Sequence, residues 1–132
     1  MKCVILAGGR GTRISELSKD IPKPMIKVLG KPILFRIIMH YYKFGIREFL
    51  IAAGYKKDIL ENYFKRKKLS KIKIKVVNTG LKTMTGGRIK RLKKYLGNET
   101  FLLTYGDGLS NVNVKKLINF HKKNNKIATL TA

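Results

Sequence analysis

Acidic residues are scarce in this chain: 7 Asp and Glu stand against 30 Lys and Arg in 132 residues, for a formal net charge of +23. Such a field attracts polyanions, and nucleic acid is the first to consider. The basic residues run along the whole chain instead of forming one arm, and no nucleic-acid-binding module is visible. Lys, Asn and Ile are all abundant, as in proteins of AT-rich genomes, so nucleic acid is not the expected partner. Cysteine is rarer still. Cys3 alone excludes a disulfide framework and a cysteine metal cluster, and it reads as a buried free thiol in a reducing compartment, with cytoplasm the default. No apolar run approaches the ~18 residues of a membrane span. The first strand begins at the N-terminus itself, so no secretory leader is expected. What remains is 44% hydrophobic, enough for one domain with a core of its own.

Strand and helix patterns alternate from end to end. Cys3-Val4-Ile5-Leu6-Ala7 and Glu48-Phe49-Leu50-Ile51-Ala52-Ala53 read as buried strands, and Ile72 to Val77 as a strand with one wet face. Thr100 to Tyr105 is another, and Ile127 to Ala132 is expected to start a last one. Helices are expected where apolar residues keep helical spacing: Ile33 to Tyr42, with Pro32 as first helical residue; Ile59 to Phe64; Ile89 to Leu96 after a loop over 78–88; and Val114 to His121. Ser15 to Asp20 reads as a polar connection, and Met25 to Leu29 as a brief strand. Pro22 and Pro24 are expected to hold Lys23 in extended chain. His40 reads as solvent-facing or packed and not as a ligand, and His121 as a packed side chain. This alternation predicts an α/β fold, a mostly parallel sheet with helices on both faces and ligands beyond the carboxyl ends of the strands. No internal repeat or linker divides it.

The first strand breaks into Gly8-Gly9-Arg10-Gly11-Thr12-Arg13. Three glycines in four positions let backbone N–H groups approach a ligand closely, which suits phosphate oxygens. Arg13 and Lys23 add positive charge near the loop. No Gly-Lys-Ser/Thr follows, so this is not a Walker A loop, and Ile14 stands where a dinucleotide fingerprint has its third glycine. The loop reads as a nucleoside triphosphate site, although a glycine turn after a strand is also a plain turn. Asp107 is the one acidic residue directly behind an apolar strand, between Gly106 and Gly108. Alone it reads as a turn aspartate. Beside a triphosphate it reads as a ligand of Mg²⁺, which one or two carboxylates commonly hold with phosphate oxygens and water.

The string GGRGTR followed by PKPM resembles the sugar-phosphate nucleotidyltransferase family, which opens on such a loop and a Pro-Lys-Pro segment. Thr83-Met84-Thr85-Gly86-Gly87-Arg88-Ile89-Lys90-Arg91, Thr104 to Gly108 and Ala128 to Ala132 narrow the likeness to cytidylyltransferases acting on glucose 1-phosphate. The resemblance implies a Rossmann-like sheet of the nucleotide-diphospho-sugar transferase type, truncated. Residues 1–132 are expected to form a single nucleotide-binding domain matching the N-terminal part of such an enzyme. It implies that Leu6, Ala7, Gly8, Gly9, Arg10, Gly11, Thr12 and Arg13 bind the nucleotide. Lys23 would contact the phosphates, Thr83 and Arg88 would hold substrate, and Asp107 would bind Mg²⁺ with Gly106 beside it.

The implied reaction joins glucose 1-phosphate to the α-phosphorus of CTP with loss of pyrophosphate, giving CDP-glucose for polysaccharide or lipopolysaccharide synthesis. Arg13 would stabilise charge on the departing pyrophosphate and Lys23 charge on the reacting phosphoryl group. UTP or dTTP as donor, or a non-catalytic nucleotide- or polyanion-binding module, are the other readings. The family's second metal aspartate lies past the matching part. An insertion that helps build its oligomer is here reduced to a basic stretch before Ile72, so a homo-oligomer stays open.

Overall fold

The structure, a computed structural model, describes residues 1–9 and 20–132. β1 (Lys2–Ala7) opens the chain. A 3-10 turn (Lys23–Met25), a short antiparallel pair of β2 (Lys27–Val28) and β3 (Lys31–Pro32), and α1 (Ile33–Lys43) follow. Next come β4 (Glu48–Ala53), α2 (Lys57–Arg66), β5 (Lys73–Asn78), α3 (Thr85–Arg91), α4 (Lys93–Leu96), β6 (Leu102–Tyr105) and α5 (Val114–Asn124). The four longer strands form one sheet in the order β5-β4-β1-β6, parallel throughout. The chain thus lays β1, β4 and β5 outward in one direction, then returns past β1 to add β6 on its other side. That reversal opens a crevice between β1 and β6 at their carboxyl ends, where open α/β sheets receive ligands.

β1 and β4 are apolar on both faces because both faces are covered. On one, Cys3, Ile5 and Ala7 and their partners Phe49, Ile51 and Ala53 pack against Leu34, Ile37 and Ile38 of α1 and Leu60 of α2. On the other, Val4, Leu6, Leu50 and Ala52 pack against Leu92 and Leu96. Each fully buried Ile, Leu or Phe contributes roughly 1.5–3 kcal/mol. β1, lying between β4 and β6, therefore gives the loop behind it a rigid floor.

Several expectations need correction. Lys23 lies in a 3-10 turn, not in extended chain: Met25 N–H donates to Pro22 O at 2.8 Å, and buried Pro24 and Met25 pin the turn. Pro32 precedes α1 as its cap residue instead of opening it. α3 begins at Thr85, inside the stretch expected as loop, and the helical region divides at Leu92. Residues 127–132 form no strand: Ile127 and Leu130 are exposed, and Thr129 Oγ1 instead lies 2.9 Å from His121 Nδ1. His40 and His121 do pack, His40 Nε2 lying 3.0 Å from Val112 O. Among the described residues no helix is long and apolar enough to cross a membrane.

Candidate functional site

An open cleft of about 400 Å³ lies in the β1/β6 crevice. Leu6, Ala7, Gly8 and Gly9 form its floor, Lys23 and Pro24 one wall, Thr83 to Thr85 and Arg88 another, and Tyr105 with Asp107 the β6 side. Gly106 N–H donates to Leu6 O at 2.9 Å and so ties the Asp107 turn to β1. A Cβ at Gly106 would stand 3.1 Å from Leu6 O and 3.2 Å from Pro24 Cγ, so the turn packs this closely only with glycine there. Lys23 Nζ is 2.5 Å from Asp107 Oδ2, and each side chain is about one-third exposed, at 33% and 35%. The pair faces solvent enough to exchange partners.

Opposite this pair lies a buried cationic junction. Arg88 is only 6% exposed, and Thr79 is fully buried. The guanidinium donates from Nη1 to Thr79 Oγ1 at 2.7 Å and Gly80 O at 2.8 Å, and from Nη2 to Gly8 O at 2.9 Å. Thr79 Oγ1 donates in turn to Ala53 O at 2.7 Å. Arg91 Nη1 reaches Thr79 O at 2.6 Å and Thr83 Oγ1 at 2.8 Å. Among the described residues no carboxylate pairs with either arginine. Burial, and then the neighbouring Arg91, pull the Arg88 pKa down, yet a guanidinium stays a cation at working pH.

The structure gathers Leu6, Ala7, Gly8, Gly9, Lys23, Thr83, Arg88 and Asp107 around one cleft. Gly106 lies beneath it, as packing. Arg10, Gly11, Thr12 and Arg13 lie outside the described residues. Arg88 turns inward onto main-chain oxygens and reaches the cleft only with part of its side chain. Tyr105 joins the cleft without having been expected there from the sequence, whereas Thr79 and Gly54 lie in loops that the sequence places at the ligand-bearing rim. Tyr105 carried a signal, since it ends the strand that leads to Asp107; Thr79 and Gly54 each directly follow a strand. Among the described residues Asp107 is the only carboxylate lining the cleft, and no group of three His, Cys, Asp or Glu could hold a metal.

A glycine floor, an amine and, among the described residues, a single carboxylate meet at the switch point of a parallel sheet, where open α/β folds receive their ligands. Residues 2–132 match the nucleotidyl transferase family, and the chain belongs to it. It is 43% identical over 151 positions to a probable glucose-1-phosphate cytidylyltransferase of Bacillus subtilis, covering 99% of this chain and 59% of that one. It is 42% identical over 154 positions to the glucose-1-phosphate cytidylyltransferase of Salmonella typhimurium, covering 100% and 60%. Both alignments exceed 132 positions, so these relatives carry residues that this chain lacks. The crystal structure of HddC from Yersinia pseudotuberculosis complexed with GMP-PN superposes with a TM-score of 0.77 at 34% identity, over 91% of this chain and 53% of that one. The chain spans about 60% of the length of the curated relatives it matches.

Proposed function

We propose that the cleft binds the triphosphate of CTP, and that this chain is the nucleotide-binding part of a transferase making CDP-glucose from CTP and glucose 1-phosphate. The observation that carries the reading is the meeting of Lys23 and Asp107 beside the Gly8-Gly9 floor. In the transfer, an oxygen of the sugar phosphate forms a bond to the α-phosphorus of CTP while the α–β bridging bond breaks and pyrophosphate leaves with the electron pair. No side-chain nucleophile is required, so positioning and charge neutralisation suffice. Gly8 and Gly9 let the nucleotide lie against the backbone. Lys23 supports charge on the reacting phosphoryl group, and Arg13, close in sequence, is proposed to do so for the pyrophosphate. Thr83 and Arg88 flank the nucleotide on the wall opposite Lys23.

Asp107 suits a magnesium role by its chemistry: it is a hard oxygen ligand, partly exposed, already attracting a cation. When bound, Mg²⁺ supplies positive charge against the triphosphate. Asp107 would hold it together with phosphate oxygens. The choice of cytosine and glucose is supported by the names of the two relatives at 43% and 42% identity; no described contact selects a base.

Pyrophosphate release with glucose 1-phosphate, measured across CTP, UTP, dTTP, GTP and ATP with Mg²⁺, tests the reading, alongside thermal shift with each nucleotide. CTP is expected to raise Tm and to be the preferred donor. A second reading rests on the one carboxylate that the described residues bring to the cleft and on the chain spanning about 60% of the two cytidylyltransferases: nucleotide bound without turnover. Its signature is a Tm rise with CTP and no pyrophosphate. Stabilisation by duplex DNA, with none by any nucleotide, would end both readings in favour of a polyanion-binding module.

A further inference from the structure

The ends of β1, β4 and β5 converge on one guanidinium, and one of the peptides that it holds, that of Gly8, belongs to the cleft floor. We propose that Arg88 is a positioning residue: by fixing the Gly8 carbonyl it aims the Gly9 N–H into the cleft as a phosphate donor. This rests on the reading of the cleft as a triphosphate site.

Gly8 C=O and Gly9 N–H are two sides of one planar trans peptide and point in opposite directions. Gly8 O accepts from Arg88 Nη2 at 2.9 Å. With the oxygen turned toward a buried arginine, the N–H turns away from it, toward the exposed side where Gly9 lines the cleft. Among the described residues nothing accepts from that N–H. A backbone donor without a protein partner at a cleft rim is suited to an anionic oxygen.

The rest of the junction holds the arginine in place. Its Nη1 is spent on Thr79 Oγ1 and Gly80 O, so the guanidinium is braced by β5 while it holds β1. The packing admits no side chain at either strand end. A Cβ on Gly8 would collide with Arg88 Nη1 and Cζ, and one on Gly54 would stand 2.6 Å from Gly80 O and 2.8 Å from Gly8 O. The buried charge has no carboxylate partner among the described residues, so among them no paired acid cancels the field that an arriving phosphate meets.

The test uses the full chain labelled with ¹⁵N-glycine, the Gly9 amide being assigned from Gly9→Ala, titrated with inorganic tripolyphosphate and with CTP. In the wild type the Gly9 amide resonance shifts with both. Arg88→Ala removes that shift and weakens CTP about tenfold or more, and millimolar guanidinium at constant ionic strength restores both. Arg88→Lys keeps the charge but not the two-pronged grip, and is expected to remain folded by its melting curve while losing the Gly9 shift. Arg88→Lys with full affinity and an intact shift would show that charge alone matters and overturn the proposal, as would an Arg88→Ala protein in which Gly9 still shifts. If tripolyphosphate and CTP leave the wild-type protein unchanged, the cleft reading itself fails. That outcome is distinct from failure of the arginine alone.

Discussion

Gly54 shows how a single missing carbon is built into the site. The atoms that a Cβ there would meet at 2.6 and 2.8 Å are main-chain oxygens, which cannot swing aside. Gly54→Ala is therefore expected to cost roughly 1–3 kcal/mol in urea unfolding and to weaken nucleotide binding. Gly86 is the contrast: it is exposed in α3, and a Cβ added there would meet nothing within 4 Å. Gly86→Ala is expected to stabilise by about 0.4–1 kcal/mol through the unfolded chain. Cys3 makes a different prediction. Burial pushes its thiol from 9.0 up to about 12. Between those values the folded chain keeps a proton that the unfolded chain has lost, so stability is full below pH 9 and falls as pH rises toward 12. The slope approaches ~1.4 kcal/mol per pH unit. Burial also raises Tyr41, which acts in the same direction. Denaturation at pH 9, 10 and 11 should therefore show a shallower loss in Cys3→Ala than in the wild type.

At the scale of elements, α5 has a side-chain cap, Asn113 Oδ1 accepting from Lys116 N–H at 3.0 Å. Asn113→Ala should lower stability by about 1 kcal/mol, with Asn113→Asp close to wild type in the same unfolding experiment. The same scale shows what sequence makes legible. β1 and β4 are continuous apolar runs because both faces are covered, and α1 and α2 declare themselves through Leu34, Ile37, Ile38 and Leu60. The positions of the Gly8 loop and of Asp107 follow from those strands. What stayed hidden depends on distant partners. Nothing in Thr85-Gly86-Gly87-Arg88 announces a helix start, because its glycines have poor propensity and Arg88 is fixed at the end of β5 and at Gly8, 80 residues away. Lys23 was hidden because two prolines disfavour a long helix yet permit one 3-10 turn. The stretch from Ile127 reads as a strand by composition, but a strand needs a neighbour to pair with, and none pairs with it here.

The whole molecule carries strong positive charge. Among the described residues β6 has one paired neighbour, β1, and Leu103 and Tyr105 on its face are 44% and 59% exposed. Apolar surface favours association, whereas a net charge of +23 opposes it. Added salt screens the charge and leaves the apolar term. Sedimentation velocity should therefore show more self-association at high salt than at low salt, and less in Leu103→Lys at either. One guanidinium joined to Gly8, Thr79 and Gly80 also bears on how the molecule breathes. Strand termini ordinarily fray first, by local openings that cost little. Here neither terminus can loosen without pulling on the other, so the rim of the sheet opens only with its middle. Deuterium should then replace the Thr79 amide proton, which donates to Ala53 O at 2.8 Å, as slowly as it replaces that of Ile51 in the centre of the sheet.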